Sequence, residues 1–339
     1  MSSWPHTGVL IVNLGTPDSY STADVRKYLR EFLSDKWVLD INPIVRFLLV
    51  NLIIAPFRAP KSSKNYQKLW TANGSPLKHY GYSIQDMLQM QLGAGYEVQL
   101  GMRYKNPSIK EALQKLMAKK VKKILVIPLF PQYASATTGT VIDEVQRQIS
   151  KYWLIPELHI ISNYYDNAAM LSCYANNAKT YLAQVQYDHI LISFHGIPQR
   201  HILKGSTGYC KLGNCCDAIS AQNHFCYRAQ CYATARGIAN ELQLSQNQYT
   251  VVFQSRLGKE PWLEPYAEDT IKRLPGMGYK NVLVLAPSFT ADCLETTMEI
   301  GDEYLHLFKA NGGTHLQLVH SLNDSPEWVK VLKEMVLKY

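Results

Sequence analysis

The fold is decided by "HILISFHGIP", residues 189–198, where a run of apolar β-forming residues ends at a glycine and a proline. The stretch "GVLIVNLGTP", residues 8–17, has the same form. Short apolar runs of this kind predict parallel strands that are buried on both faces. The two runs begin at residues 8 and 189, so the pattern recurs after 181 residues (189 minus 8). One strand motif therefore occurs twice in the chain.

A second pair of stretches recurs in the same order. "KKILVIPLFPQYASATTG" begins at Lys122 and "KNVLVLAPSFTADCLETT" at Lys280, an offset of 158 (280 minus 122). Helical patterns such as "SIKEALQKLMAKK" and "AEDTIKRLPGMG" alternate with these strands. Two matched pairs predict an internal duplication. The fold class we predict is α/β, with two similar doubly wound, Rossmann-like parallel-sheet halves and an active-site cleft between them.

The domain boundaries follow from this repeat. We predict an N-terminal α/β domain over residues 1–162 and a C-terminal α/β domain over residues 163–320. The remaining residues 321–339 are expected to form a helix that packs back on the N-terminal domain. At 339 residues the chain can bury enough core to fold without cysteine cross-links.

The net charge is +8, and the excess is concentrated in one region. Residues 26–68 contain nine basic and only three acidic residues, and they enclose the apolar stretch "INPIVRFLLVNLIIAPF", residues 41–57. Arg46, Asn51 and Pro56 leave this stretch short of the roughly 20 apolar residues of a membrane span. A basic and apolar surface suits an anionic membrane face better than nucleic acid. The alternative is a buried helix with a solvated rim.

The start of the chain, "MSSWPHTGVLIVNLGTP", has no basic segment followed by a long apolar run, so we expect no secretory signal and a cytosolic location. Five of the seven cysteines fall within residues 208–231. A reducing cytosol disfavours disulfides. Metal ligands, a redox site and chance remain open at this point.

Several polar residues follow the predicted strands. Ligands bind at the carboxyl ends of strands in such sheets, which places Leu14, Tyr133 and His195 near one site. His195 directly follows "HILISF", although a lone histidine at such a place is often a hydrogen-bonded structural residue.

Four acids follow the last predicted strand of the second repeat. They are spaced by three, four and three residues, which on an α-helix gives one stripe: Asp292, Glu295, Glu299 and Asp302. Such a stripe is usually a solvated face. Beginning at a strand end, it could instead pass a hard cation or protons. A histidine with carboxylates suits a borderline metal such as Fe²⁺.

Five motifs together resemble the ferrochelatases, which insert Fe²⁺ into a porphyrin: "NLGTPDS", "PLFPQYASATTG", "LISFHGIPQR", "FQSRLGKEPWLEPY" and "FTADCLETTMEIGDEY". They occur in order between about residues 8 and 325, and the pattern is most similar to proteobacterial members. The resemblance implies a lyase that converts protoporphyrin IX and Fe²⁺ to protohaem, the terminal step of haem biosynthesis. Alternatives are a chelatase for another tetrapyrrole such as coproporphyrin, or a catalytically weak haem- or metal-binding regulator.

The resemblance also assigns site residues. His195 is the central active-site residue, and Glu295 is its partner across the cleft. We expect His195 to accept pyrrole protons, with Glu295 and Glu299 on a metal or proton path. The residues implied to contact the substrate metal are His195, Glu295, Glu299 and Asp302. Those implied to contact porphyrin are Leu14, Arg103, Tyr104 and Tyr133. Cys293 stands where many family members have histidine.

The resemblance places residues 41–57 at the apolar lip through which porphyrin enters from the membrane. It implies a cytoplasmic protein held peripherally on the inner membrane surface, with no nucleic-acid partner. The same resemblance leads us to expect contact with the preceding oxidase of the porphyrin pathway.

The cysteines divide in two under this resemblance. Cys231 matches a common family cysteine, whereas residues 204–227 look like an insertion. Some ferrochelatases carry a [2Fe–2S] cluster, so the implied ligands are the four cysteines of the insertion, Cys210, Cys215, Cys216 and Cys226. Zinc, or no metal at all, is the alternative. Cys173 and Cys293 look like isolated packing or helix residues.

Overall fold

The computed structural model describes residues 5–258 and 260–339, which divide into two compact units. The first unit contains the described residues up to Phe130 together with residues 134–163 and 323–339. The second contains residues 131–133 and 164–322. Residues 1–4, part of the stretch in which we expect no secretory signal, lie outside the described residues.

Each unit is built on a four-stranded parallel sheet. The strands of the first unit are β1 (Thr7–Gly15), β2 (Tyr96–Tyr104), β3 (Lys123–Pro128) and β4 (Glu157–Ile160), in the order β2-β1-β3-β4. Those of the second are β5 (His189–His195), β6 (Tyr249–Gln254), β7 (Asn281–Leu285) and β8 (His315–Leu318), in the order β6-β5-β7-β8.

The two sheets have the same strand order, with the first strand of each unit between the second and third. The apolar runs that opened the sequence analysis are these central strands. Val9, Leu10, Ile11 and Val12 in β1 are fully buried, as are Leu191 and Ile192 in β5. Burial on both faces explains why these runs lack the alternation of a half-exposed strand. The α/β class and the two similar parallel sheets are confirmed.

Helices cover the sheet of the first unit: α1 (Thr22–Leu33), α2 (Pro43–Leu48), α3 (Ala55–Leu69), α4 (Pro76–Leu92), α5 (Ile109–Ala118), α6 (Thr140–Ile149) and, from the end of the chain, α12 (Pro326–Leu337). Helix α5 begins with a capping box in which Ser108 and Glu111 each accept a backbone hydrogen bond. Helix α12 packs against α4, and Ser83 donates a hydrogen bond to Asp324 at 2.6 Å.

The helices of the second unit are α7 (Ala168–Leu182), α8 (Gln199–Gly205), α9 (Tyr227–Glu241), α10 (Ala267–Arg273) and α11 (Leu305–Ala310). The segment predicted as an acidic α-helix is instead π-helical over Leu294–Tyr304 and then continues as α11. A π-helix bonds each residue to the fifth one along, so its turns are wider and residues seven apart no longer share a face. The predicted α-helical stripe of carboxylates is therefore wrong in its periodicity.

The apolar stretch of the first unit lies in one continuous helical segment, because π-helical residues Leu49–Ile54 join α2 to α3. This segment, Pro43–Leu69, has 27 residues and meets the length and composition requirement for crossing a membrane, and 17% of its most apolar part is buried. Residues 41–57, interrupted by Arg46, Asn51 and Pro56, were expected to fall short of a membrane span, but the helical segment continues to Leu69 and reaches the required length. The alternative of a buried helix is wrong, since large apolar side chains face outward: Ile44, Val45, Phe47, Leu48, Leu52, Ile53 and Phe57.

Candidate active site

The backbone of His195 is held at the carboxyl end of β5 by three neighbouring elements. Its N–H donates to Ser288 Oγ at 3.2 Å, just after β7. Its carbonyl accepts from the hydroxyl of Tyr227 at 2.8 Å, at the start of α9. The next N–H, that of Gly196, donates to the carbonyl of Gln254 at the end of β6 at 2.8 Å. These bonds place the imidazole at the strand tip, as the sequence predicts.

The imidazole of His195 is half-buried, and its hydrogen bonding indicates its tautomer. Nδ1 lies 2.6 Å from the carbonyl oxygen of Gly196, which can only accept. Nδ1 must therefore carry a proton, and in the neutral ring Nε2 keeps its lone pair. Trp262 and Phe289 lie beside the ring, with centroids 6.4 Å and 6.2 Å away. The ring thus presents a proton acceptor from an aromatic setting.

Gln254 joins His195 to the acidic helix. It is the β6 residue paired with His195 in the parallel register, and it is 1% exposed. Its Nε2 donates to the backbone carbonyl of Glu295 at 2.9 Å and to the carboxylate of Glu299 at 3.2 Å. Its Oε1 accepts from the hydroxyl of Ser193 on β5 at 2.8 Å. One buried amide therefore links the strand of His195 with the segment that carries Glu295 and Glu299.

Both oxygens of the Glu299 carboxylate accept hydrogen bonds. Oε2 accepts from Ser255 Oγ at 2.5 Å, and Oε1 accepts from the hydroxyl of Tyr304 at 2.9 Å. Burial and the neighbouring Glu299 raise the pKa of Tyr304, so this hydroxyl remains a donor. Asp302 has a different neighbour, because its carboxylate lies 3.2 Å from Nδ1 of His306. The structure therefore brings Glu299 to Gln254 and pairs Asp302 with another side chain.

Two further residues begin the acidic segment. Asp292 accepts a hydrogen bond from the backbone N–H of Ser321 at 3.0 Å, which fixes the loop before the helix. Cys293 is buried, and its N–H donates to Thr296 Oγ1 at 2.9 Å. Burial, with Glu295 nearby, raises the pKa of the Cys293 thiol well above its usual value. At this position the chain therefore holds a protonated thiol.

Tyr133 lies in the second unit, beside the cysteine-rich segment 208–231. Its N–H donates to Gln230 Oε1 at 2.6 Å, and its ring meets that of Phe225 edge-on at 5.6 Å. Burial raises the pKa of its half-buried hydroxyl, so Tyr133 offers a neutral phenol.

In the first unit, Arg103 and Tyr104 both donate to the carboxylate of Asp35, a residue that no sequence motif identified. Asp35 Oδ2 accepts from Arg103 Nη2 at 2.5 Å, from the Tyr104 hydroxyl at 2.9 Å and from Thr140 Oγ1 at 2.5 Å. Arg103 Nε also donates to Thr140. The charge of Arg103 is therefore balanced inside this unit. Asp35 is one of only three acids among the nine bases of residues 26–68, which is the signal that could have revealed it.

Leu14 lies near the end of β1, next to a glycine with a strict requirement. Gly15 has φ +118°, and a Cβ at this position would come within 2.0 Å of the Tyr104 carbonyl oxygen. This contact explains why a glycine follows the apolar run. Leu14 itself is half-buried and packs on the core of the first unit.

The cysteine-rich segment holds its thiols in pairs. All of its cysteines are unoxidised in the structure. Burial, with Cys215 nearby, raises the pKa of Cys210, and the interaction between Cys216 and Cys226 raises the pKa of the first and lowers that of the second. Within residues 5–258 and 260–339, no three His, Cys, Asp or Glu side chains are grouped so as to hold a metal ion. The donor chemistry suits a thiolate-bound metal, but the four-cysteine ligand set is not assembled.

Sequence comparison gives these residues a family context. The family model described as Ferrochelatase matches residues 6–339. A ferrochelatase of Legionella pneumophila strain Lens is 43% identical over 330 residues, covering 97% of this chain and 98% of that protein. One of Coxiella burnetii strain CbuK_Q154 is 41% identical over 333 residues, covering 98% of this chain and 93% of that protein.

Structural comparison agrees with this at the level of the fold. The sirohydrochlorin chelatase of Bacillus subtilis subspecies spizizenii, solved in complex with cobalt, aligns with a TM-score of 0.55 at 9% identity, covering 98% of this chain and 94% of that one. Because the identity is so low, this likeness concerns the fold alone. The full-length sequence matches carry the assignment: the chain belongs to the ferrochelatase family.

Proposed function

We propose that this protein inserts Fe²⁺ into protoporphyrin IX to form protohaem, the terminal step of haem biosynthesis. Family membership supports a metal-chelating lyase that acts on a porphyrin. The observation that carries the proposal is the junction at Gln254, whose side chain joins the strand of His195, through Ser193, to the backbone of Glu295 and the carboxylate of Glu299.

The reaction requires two tasks that these groups can divide. Two pyrrole N–H protons must leave the macrocycle, and a desolvated Fe²⁺ must reach its nitrogens. His195 Nε2 is the proton acceptor in this proposal, because Nδ1 is committed to Gly196. Glu295 and Glu299 supply carboxylate oxygens for Fe²⁺ or for the released protons. Asp302, whose carboxylate lies 3.2 Å from Nδ1 of His306, is proposed as a further carboxylate on this path.

The test compares two histidine variants of the second unit. His195→Ala should lower Fe²⁺ insertion into protoporphyrin by at least about a hundredfold, the lower end expected for loss of a general base. His315→Ala is the matched control, since His315 begins β8 at the amino end of the sheet and should keep full activity. Near-normal turnover in His195→Ala would refute the assigned role.

The same anaerobic assay separates the proposed substrate from its alternatives. Protoporphyrin and coproporphyrin should be compared at equal concentration, with the loss of porphyrin fluorescence on iron insertion as the readout. Faster turnover of coproporphyrin would replace the proposed substrate. Haem binding by the wild-type protein without insertion of metal into either porphyrin would instead favour the regulator.

Porphyrin contacts are proposed for Leu14, Arg103, Tyr104 and Tyr133. Because Asp35 neutralises Arg103 and orients Tyr104, this pair would act through shape and fixed donors rather than through a free positive charge. Burial raises the pKa of Tyr104, so its hydroxyl stays protonated.

A peripheral contact with the inner membrane surface, made from the cytoplasm, is the second part of the proposal. It is supported by the outward-facing apolar side chains of Pro43–Leu69, led by Phe57 at 80% exposure, and by the surrounding basic residues. Co-sedimentation with vesicles tests it: binding should require anionic lipid and weaken with salt. Contact with the preceding oxidase of the pathway would occur at the same membrane surface. It would be tested by measuring whether this protein competes for the porphyrin that the oxidase releases.

The third part concerns the insertion at residues 204–227. We propose that Cys210, Cys215, Cys216 and Cys226 bind a [2Fe–2S] cluster, with zinc or no metal as the alternatives. Support comes from the interaction of Cys226 with Cys216, which lowers the pKa of Cys226, since thiolates are the ligands of such clusters. A bound cluster would supply electron-transfer chemistry that porphyrin metallation does not use.

Metal analysis tests the cluster directly. Protein purified without air should contain about two iron and two sulfide per chain and absorb visible light. Colourless protein that contains zinc, or no metal, would refute the cluster.

A further inference from the structure

Tyr227 closes a buried ring of hydrogen bonds around the backbone of His195. Its hydroxyl donates to the His195 carbonyl at 2.8 Å and lies 3.2 Å from Ser288 Oγ. Ser288 Oγ in turn accepts from the N–H of His195 at 3.2 Å. Burial raises the pKa of Tyr227 well above its usual value, so the hydroxyl keeps its proton. The peptide that carries the imidazole is thus held on both sides through one tyrosine.

The same part of the chain also contacts Tyr133. Phe225 packs edge-on against the Tyr133 ring, and Gln230 accepts from the Tyr133 N–H at 2.6 Å. The amide of Gln230 is fixed from its other end, because its Nε2 donates to the His224 carbonyl at 2.5 Å. Residues 224–230 therefore contact two of the proposed site residues.

The cysteine-rich segment is directly connected to this ring of hydrogen bonds, because Cys226 and Tyr227 are consecutive residues. Cys226 immediately precedes Tyr227 and caps α9, and its N–H donates to the Asn223 carbonyl at 2.8 Å. The Asn223 side chain donates to the Cys215 carbonyl at 2.6 Å, so Asn223 ties the backbone beside Cys215 and Cys216 to that of Cys226. A change in the Cys216–Cys226 pair therefore acts on the first residue of α9.

We propose that Tyr227 is a positioning residue for His195, and that it couples the state of the Cys216–Cys226 thiols to the proposed active site. The proposal rests on the function given above. Binding of a metal to these thiols, or loss of one thiol by substitution, would shift the start of α9. The bond from Tyr227 to His195 would then lengthen, and the imidazole would lose its fixed position. No electron transfer is needed, because the coupling is mechanical.

A double-mutant cycle tests the coupling without relying on activity. Tyr227→Phe removes one hydroxyl and keeps the ring. Tyr232→Phe is the matched control on the same helix, since the Tyr232 hydroxyl accepts from Arg228 at 3.3 Å and is bonded to neither His195 nor Ser288 in the described part of the chain. Amide hydrogen exchange is measured at His195 and Gly196, whose N–H groups are both bonded at the site. Tyr227→Phe should speed this exchange by about three- to tenfold, the usual effect of one lost hydrogen bond.

Cys226→Ser supplies the other arm of the cycle. Cys226→Ser should speed the same exchange when it is introduced into the wild-type protein or into the Tyr232→Phe variant. It should speed the exchange much less when it is introduced into the Tyr227→Phe variant, because both changes act through the same bond. Equal effects of Cys226→Ser in the two tyrosine backgrounds would overturn the coupling. Unchanged exchange in Tyr227→Phe would overturn the positioning role.

Kinetics separates this proposal from the function on which it rests. In the Fe²⁺ insertion assay, Tyr227→Phe should lower kcat several-fold and leave KM for porphyrin unchanged, since it moves His195 and no porphyrin contact. A KM effect alone would contradict positioning. If wild-type protein inserts no metal, the proposed function fails, whereas the exchange experiment still decides whether Tyr227 holds His195.

Discussion

Replacing Asp35 should destabilise the first unit more than most single substitutions. This carboxylate is 5% exposed and accepts four hydrogen bonds: three reach Oδ2, from Arg103, Tyr104 and Thr140, and one reaches Oδ1, from the backbone N–H of Trp37. Asp35→Ala removes all four acceptor contacts and leaves a guanidinium that is 14% exposed without its counter-charge. Breaking one partner of a buried pair costs about 3–5 kcal/mol. Because Arg103 keeps some exposure and its bonds to Thr140, we expect about 3 kcal/mol.

Two further variants separate charge from hydrogen bonding. Asp35→Asn keeps an oxygen acceptor and should cost about half as much as Asp35→Ala. Adding Arg103→Met to Asp35→Ala removes the uncompensated charge, so the double variant should be more stable than Asp35→Ala alone. Lys36→Met is the control, because its pair with Asp143 is exposed and should contribute no more than about 0.5 kcal/mol.

The assay is urea unfolding followed by tryptophan fluorescence, with the free energy of unfolding taken from the midpoint and slope. An Asp35→Ala variant within about 1 kcal/mol of wild type would refute the argument. So would a double variant that is less stable than Asp35→Ala, since the cost would then not come from a buried charge.

Three other outcomes follow from the geometry. In metal-free protein, the rate of alkylation of Cys226 should increase at a lower pH than that of Cys216, because the pKa of Cys226 is lowered and that of Cys216 is raised. Mass spectrometry after timed labelling would measure both rates, and the reverse order would contradict the assigned pair. Phe57→Glu should weaken binding to anionic vesicles about tenfold with stability changed by less than about 0.5 kcal/mol, and unchanged co-sedimentation would remove this residue from the membrane contact. Gly15→Ala should cost at least about 2 kcal/mol in urea unfolding, because its Cβ would meet the Tyr104 carbonyl at φ +118°, and a smaller loss would mean that the strand end relaxes.

The fold could be predicted because its signals are local. Val9–Val12 and Leu191–Ile192 are buried on both faces, so their apolar runs are uninterrupted, and the glycine after each run ends the strand. The π-helix over Leu294–Tyr304 could not be predicted in this way. Its three- and four-residue spacings also fit an α-helix, and the wider turn depends on contacts such as that of Glu299 with Ser255.

The residues around the candidate site show the same limit. His195 was recognisable from its place after an apolar run and from the family resemblance. Gln254 and Tyr227 were not, because a glutamine at the end of a strand and a tyrosine in an insertion have no characteristic spacing. Their importance comes from two bonds that form only when the strands are assembled. Gln254 bonds to Glu295, which is 41 positions away in the sequence, and Tyr227 bonds to His195, which is 32 positions away.

The shared strand order of the two sheets gives Leu14 and His195 matching places. Each lies just before the glycine near the end of a central strand, flanked by the second and third strands of its own unit. The duplicated scaffold therefore provides the same position twice, and the two copies have diverged in chemistry: one carries an aliphatic side chain and the other an imidazole. Under the proposed function, position 14 would affect the fit of the porphyrin and position 195 would accept protons, so substitutions at the two positions would change different properties.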